Sequence, residues 1–123
     1  MQLRAAVVAR VFVYGTLRRG QSNHSLLEQA SRLGACQLMS GYLLFNLGSY
    51  PGAKRSNLSH APLYGEVYEV DRHTMVLLDQ LEEYPELYTR ELVETKYGAA
   101  WIYLYNPSAA GLPLLRHGDW CRR

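Results

Sequence analysis

Two places in this 123-residue sequence combine residue types and spacing that could do chemistry: a carboxylate on the apolar side of a short helix, and a glycine turn directly after a strand. Glu82 lies seven positions after Met75 and four after Leu78, so an α-helix presents it on the same side as those apolar residues. Glu83 instead falls beside Val76 and Asp79, on a more polar side. Burial without a partner raises the pKa of a carboxyl group, and a raised pKa suits a group that exchanges protons near neutrality. Glu82 is therefore a candidate general acid/base. The same position also fits a carboxylate in a fraying last turn that faces solvent, or one paired with an arginine.

The second place is Tyr14-Gly15-Thr16-Leu17. Gly15 lets the backbone turn sharply and lets a ligand approach without a Cβ in the way, and successive N–H groups in such a turn can cradle an anion or a carbonyl oxygen. An ordinary strand-to-loop turn has the same residues. No GxxxxGK[ST] phosphate loop or dinucleotide fingerprint is present. His24, His60, His73 and His117 are scattered without HxxxH or HxH spacing, which argues for surface positions and against a metal site. Cys36 and Cys121 form neither a CxxC motif nor a framework of bridges and read as structural thiols in a reducing compartment, Cys36 as a buried one.

The elements that must position these groups follow from hydrophobic period and turn residues. Val7 to Tyr14 is predicted as a strand that stops at Gly15, and Ser22 or Asn23 caps a helix of about two turns through Leu26, Leu27 and Ala30. Strands are expected at Leu33 to Gln37 and Gly41 to Asn46, then a long loop through Gly48 to Gly52 and Lys54 to Ser59. Leu63 to Val70 resumes strand character, and Asp71 caps a helix from Arg72 to about Glu83 that Pro85 stops. Tyr88 to Thr95 and Ala99 to Tyr105 form a hairpin around Lys96-Tyr97-Gly98, and the stretch after Leu114 has little pattern. The ten tyrosines, several in strands 64–68 and 97–105, fit a ligand-pocket lining and a β-rich core equally, with Tyr103 and Tyr105 sharing one strand face and only one face able to point inward. The whole predicts an α+β fold: a mixed, strongly curved β-sheet or small barrel with two short helices.

At 14.0 kDa the chain has room for one core, so residues 1–123 are expected to form a single domain without a separate cofactor domain. Hydrophobic residues at 48% and charged residues at 20% are an ordinary globular balance. The net charge of +2 is far from the dense basic stripe that nucleic acid requires, which also counts against an RNA-binding barrel using exposed tyrosines. Arg4 and Arg10 bracket an apolar run too short for a signal peptide, and no segment approaches the roughly 20 apolar residues of a membrane span, so a cytoplasmic location is expected.

Phe12-Val13-Tyr14-Gly15-Thr16-Leu17-Arg18 resembles the FVYG[ST]LR signature that opens the gamma-glutamylcyclotransferase-like fold. The resemblance continues through Ser49-Tyr50-Pro51-Gly52-Ala53, Tyr64-Gly65-Glu66-Val67-Tyr68, Leu78-Asp79-Gln80-Leu81-Glu82 and Gly118-Asp119-Trp120. It spans nearly the whole chain and is nearest to the small bacterial YtfP-type members. The resemblance implies a reaction without metal or cofactor, in which a γ-glutamyl amide or amine cyclises to 5-oxoproline and releases the free amine. It implies a small-molecule γ-glutamyl substrate, Glu82 as the catalytic acid/base, and Tyr14, Gly15, Thr16 and Leu17 as the substrate-binding loop. Tyr88, in Pro85-Glu86-Leu87-Tyr88-Thr89-Arg90, resembles a tyrosine position of active relatives. Larger family members carry glycine where this chain has Glu83. A second reading is a non-catalytic module that keeps the pocket for a small carboxylated metabolite. The group on the γ-glutamyl moiety would be read by variable loops, which leaves its identity open.

Overall fold

The computed structural model describes residues 6–123; Arg4 and Ala5 of the N-terminal run lie outside them. The fold is α+β, with seven strands, one α-helix and two single turns of 3-10 helix among the described residues. The strands are β1 (Val7–Val13), β2 (Ser31–Leu38), β3 (Tyr42–Asn46), β4 (Pro51–Arg55), β5 (Leu63–Asp71), β6 (Tyr88–Thr95) and β7 (Gly98–Tyr105), and the helix α1 is Arg72–Leu81. Five strands form one sheet in the order β2-β5-β1-β7-β6, while β3 and β4 form a separate ribbon. The sheet is mixed: β1 runs parallel to β7, and all other pairings are antiparallel.

The sheet does not close into the small barrel that was one of the two forms expected for it. The edge strands β2 and β6 each pair with one neighbour, β5 and β7 respectively, so the five-stranded sheet stays open. The physical reason is that closure is not needed to cover the sheet, because other elements bury both of its faces. On one face Phe12, Val67, Ala100, Ile102 and Leu104 pack with Leu44 and Ala53 of the ribbon and with Trp120. On the other, Val11, Val13, Tyr68, Val70 and Tyr103 pack with Met75 and Leu78 of α1 and with Leu17 and Leu27. Two inward faces replace the single one expected. Residues of both parities along β1 and β5 are accordingly buried, Phe12 and Val67 on one face and Val11, Val13, Tyr68 and Val70 on the other.

Three further expectations change. The first helix is one 3-10 turn, His24–Leu27, and Asn23 precedes it without a side-chain cap bond. The long loop after residue 48 contains β4, whose backbone pairs with β3 from Tyr42↔Arg55 to Asn46↔Pro51. Proline is tolerated there because it is the first residue of a strand in a two-stranded ribbon. The unpatterned C-terminal stretch buries Trp120, and its Gly118 carbonyl accepts a hydrogen bond from the Tyr64 N–H at 2.9 Å. No helix among the described residues is long and apolar enough to cross a membrane.

Helix α1 has the start that its sequence predicts, with the Asp71 carboxylate accepting from the Thr74 N–H at 2.8 Å. The direction of the helix carries the chain back towards the Gly15 turn. Antiparallel pairing puts Asp71 opposite Val7, at the opening end of β1. Ten residues of helix then run back roughly 15 Å over the sheet, which returns the chain to the closing end of β1, where Gly15 lies.

Candidate active site

The helix ends in a Schellman motif: the Tyr84 N–H donates to the Asp79 carbonyl at 2.9 Å, and the Glu83 N–H to the Gln80 carbonyl at 3.1 Å. Glu82 is the C-cap residue, and Glu83 occupies the next position with φ of 51°. That is left-handed backbone, natural for glycine and strained for a side-chain-bearing residue. The chain thus bends sharply beyond Glu82, which leaves the Glu82 side chain on the inner side and Glu83 exposed.

Glu82 borders a cavity of about 320 Å³ whose wall also includes Tyr14, Gly15, Thr16, Leu17, Tyr88 and Tyr103. Every site residue named from the sequence therefore meets in one hollow, although they come from the β1 loop, the end of α1 and the start of β6. The Glu82 carboxylate has no hydrogen bond or ion pair among the described residues. Desolvation in this setting raises its pKa from 4.5 to about 7. The frayed-turn and arginine-pair readings do not hold, since Glu82 is half-buried and the nearby Arg90 is taken by Asp79 at 2.9 Å.

The tyrosines around it keep their protons. The Tyr14 hydroxyl donates to the Tyr103 carbonyl at 2.7 Å and accepts from the Ala53 N–H at 3.1 Å. Tyr88 donates to the Pro51 carbonyl at 2.6 Å, and Tyr103 to Asp79 Oδ1 at 2.6 Å. Burial pushes all three hydroxyls well above the ordinary tyrosine value, and the charge of Glu82 adds to this in each case. Glu82 is the cavity group poised to change charge near pH 7.

The loop opposite the carboxyl is held open by its neighbours. The Asn23 N–H donates to the Thr16 carbonyl at 2.8 Å and Asn23 Nδ2 to Thr16 Oγ1 at 2.9 Å, while the Arg18 N–H donates to the Gly15 carbonyl at 3.1 Å. Within the described residues no hydrogen bond engages the N–H of Thr16 or Leu17. Gly15 is required for a reason other than ligand approach: a Cβ there would stand 2.5 Å from the Pro51 ring. Beyond the loop, Arg18 is clamped between Glu66 and Asp119 at 3.2 and 2.7 Å, and the Arg19 N–H donates to Glu66 at 2.9 Å. Burial alone would raise the Glu66 carboxyl, but the Arg19 amide, the Tyr68 hydroxyl and Arg18 together hold it below its ordinary value.

Sequence reading missed Ser22, Tyr50 and Pro51 as parts of the wall and left Tyr103 open between pocket and core. Tyr50 and Pro51 arrive on the β3–β4 turn, which was expected as loop, and Tyr103 was one of ten tyrosines with no distinguishing spacing. Asn23 was visible only as a cap. Of the scattered residues, His60, His73 and His117 are exposed as expected, but His24 is half-buried, with its Nδ1 3.0 Å from the Leu17 carbonyl. Cys36 is buried, whereas Cys121 is exposed.

Residues 11–122 match the sequence profile of the family described as gamma-glutamyl cyclotransferase, AIG2-like. The chain is 41% identical over 114 residues to the gamma-glutamylcyclotransferase family protein YtfP of Escherichia coli K12, covering 93% of this chain and 97% of that one. It is 35% identical over 108 residues to the gamma-L-glutamyl-butirosin B gamma-glutamyl cyclotransferase of Niallia circulans, covering 78% of this chain and 66% of that one. Among solved structures, an uncharacterised Pyrococcus horikoshii protein superposes with a TM-score of 0.80 at 31% identity, covering 94% of this chain and 92% of that one.

Proposed function

Since the chain belongs to the gamma-glutamyl cyclotransferase, AIG2-like family, we propose that it cyclises a γ-glutamyl amine or amide to 5-oxoproline with release of the free amine, Glu82 moving the proton. The observation that carries this reading is an unpaired carboxyl with a pKa of about 7 sharing a cavity with a loop whose N–H groups at Thr16 and Leu17 are unengaged. A substrate α-ammonium, with a pKa of about 8, must lose a proton before its nitrogen can attack. Glu82 takes that proton, the nitrogen bonds to the γ-carbonyl carbon, and the carbonyl oxygen gains charge. The proton held by Glu82 goes to the departing nitrogen as its bond to that carbon breaks and the carbonyl re-forms. The Glu82 carboxylate then takes the second proton from the ring nitrogen and passes it to the released amine, which leaves as an ammonium. Charge balances at each step, and Glu82 returns to its starting form.

The remaining features take up parts of the barrier. Ring closure is intramolecular, and a well-oriented pair of reacting atoms accounts for about 7–11 kcal/mol. In this reading the loop amides hold the glutamyl carboxylate or the developing oxyanion, where fixed dipoles act most strongly. No lysine or arginine lines this cavity among the described residues, so the donors on hand for an anionic group are neutral ones, the loop N–H groups and the wall hydroxyls of Ser22, Ser49 and Tyr50. The locked tyrosine hydroxyls shape the hollow without competing for the proton.

Incubation with a panel of γ-glutamyl amines and peptides, with 5-oxoproline as the readout, tests the reading. Turnover that disappears in Glu82→Gln while ligand binding persists supports it. Binding in wild type and variant alike with no 5-oxoproline from any substrate would instead identify a non-catalytic binding module.

A further inference from the structure

Asp79 lies three residues before Glu82 on α1, and both oxygens of its carboxylate are engaged. Its Oδ1 accepts from the Tyr103 hydroxyl at 2.6 Å and from Arg90 Nε at 2.9 Å, and its Oδ2 accepts from Arg90 Nη2 at 3.2 Å. Its main-chain carbonyl accepts from the Tyr84 N–H at 2.9 Å. The Arg90 guanidinium in turn lies over the rings of both Tyr84 and Trp101, 4.5 Å from each centroid. Glu82 is therefore enclosed in a short closed circuit, tied before it at Asp79 and after it at Tyr84 to the same guanidinium. The circuit joins α1 to β6 through Arg90 and to β7 through Tyr103 and Trp101.

From this circuit we infer that Asp79 and Arg90 are positioning residues: together they fix the bend that keeps the Glu82 carboxyl inside the cavity, a role that rests on the reaction proposed above. A bidentate pair of this kind is weak evidence for added stability, because desolvating both ions offsets much of their attraction. What it supplies is geometry. Arg90 donates through a rigid planar fork and contacts two rings, so it restricts the arrangement of the helix end relative to the sheet. The strained Glu83 backbone at φ 51° is held from both sides, by the Schellman bonds and by this clamp. A carboxyl that must meet a substrate nitrogen within about 3 Å is sensitive to shifts of that helix end. The titratable groups that share the cavity wall with Glu82 are Tyr14 after β1, Tyr50 on the β3–β4 turn, Tyr88 on β6, Tyr103 on β7 and Glu83 beside it.

The test measures the Glu82 carboxyl directly by ¹³C NMR titration in the wild type, Asp79→Asn and Arg90→Lys, each confirmed as folded, alongside kinetics on the best γ-glutamyl amine. Arg90→Lys keeps the charge and loses the fork, so if Asp79→Asn does not fold, Arg90→Lys decides by the same criteria. The expected result is a Glu82 titration that moves from about 7 towards 4.5 as the bend loosens and water enters, with kcat reduced about tenfold or more at nearly constant KM. An unchanged Glu82 titration in the folded variants, or a loss confined to KM, overturns the positioning role. If the wild type makes no 5-oxoproline, the reaction proposal fails, while the titration still decides whether the clamp holds the carboxyl.

Discussion

Replacing Glu82 with Gln should stabilise the protein at alkaline pH and leave it unchanged in acid. A folded-state pKa raised from 4.5 to about 7 means that the folded chain holds this proton where the unfolded chain has released it. The associated stability is fully present below pH 4.5 and is lost as the pH rises through about 7, beyond which the native state carries a poorly solvated charge. At about 1.36 kcal/mol per pH unit, that gap sets an upper bound of roughly 3 kcal/mol. Glu82 is only half-buried, and solvent screening reduces the expected difference to about 1–2 kcal/mol. Urea denaturation of both proteins from pH 4 to pH 9 reads this as a stability difference that grows through the 5–7 range and then levels. Any constant offset from burying the Gln amide appears at every pH, and titration of the other carboxyls cancels in the comparison. A difference that is flat with pH refutes the reasoning. So does one that grows towards low pH, since that would mean the Glu82 carboxylate has a cationic partner in the native state.

Activity should rise with pH on a limb near 7 in kcat/KM as Glu82 ionises, and Glu82→Gln should lower kcat by about 10²–10⁴-fold, measured as 5-oxoproline release. Glu83→Gly relieves left-handed strain at φ 51° and should raise stability by up to about 1 kcal/mol in thermal or urea unfolding, net of the flexibility glycine adds to the unfolded chain. Gly15→Ala drives a Cβ to 2.5 Å from Pro51 and should cost about 1–3 kcal/mol while raising KM, as seen by unfolding and steady-state kinetics together. Arg18→Ala leaves Glu66 and Asp119 without their shared partner and should cost about 3–5 kcal/mol at pH 7. Both carboxyls sit below their ordinary values in the folded protein, so the wild-type stability they confer is present above those values and lost as pH falls; urea unfolding across the acid range should show a shallower transition in the variant.

Much of the site was legible in the chain itself because its signals are local. Glu82 stood out because a carboxylate at the spacing of Met75 and Leu78 contradicts the helix around it, and the contradiction survives whatever else the chain does. Asp71 as a cap, Gly15 as a point where a side chain is excluded, and the β6–β7 hairpin are decided by neighbours a few positions away or by a single close approach. The failures have the opposite character. A small barrel was one of the two forms expected for the sheet because the strands alone gave no count of the surfaces available to cover them. The β3–β4 ribbon and the C-terminal Trp120 provide that cover, from segments that read as loop and as unpatterned tail. Tyr103 and Asp79 had no distinguishing signal of their own, and their roles arise only when β7 is laid beside α1.

Local pattern, then, determined the presence and type of most elements, the misfit carboxylate and the amide-rich turn. Tertiary structure alone decided that the two meet. Antiparallel pairing of β5 with β1 starts α1 at the far end of the sheet, so the length of the helix sets where it delivers Glu82. Gly15 and Glu82 lie far apart along the chain, and no short-range rule reaches from one to the other. The raised pKa is likewise a property of the assembled hollow, because desolvation depends on what surrounds a group in space and not on what adjoins it along the chain.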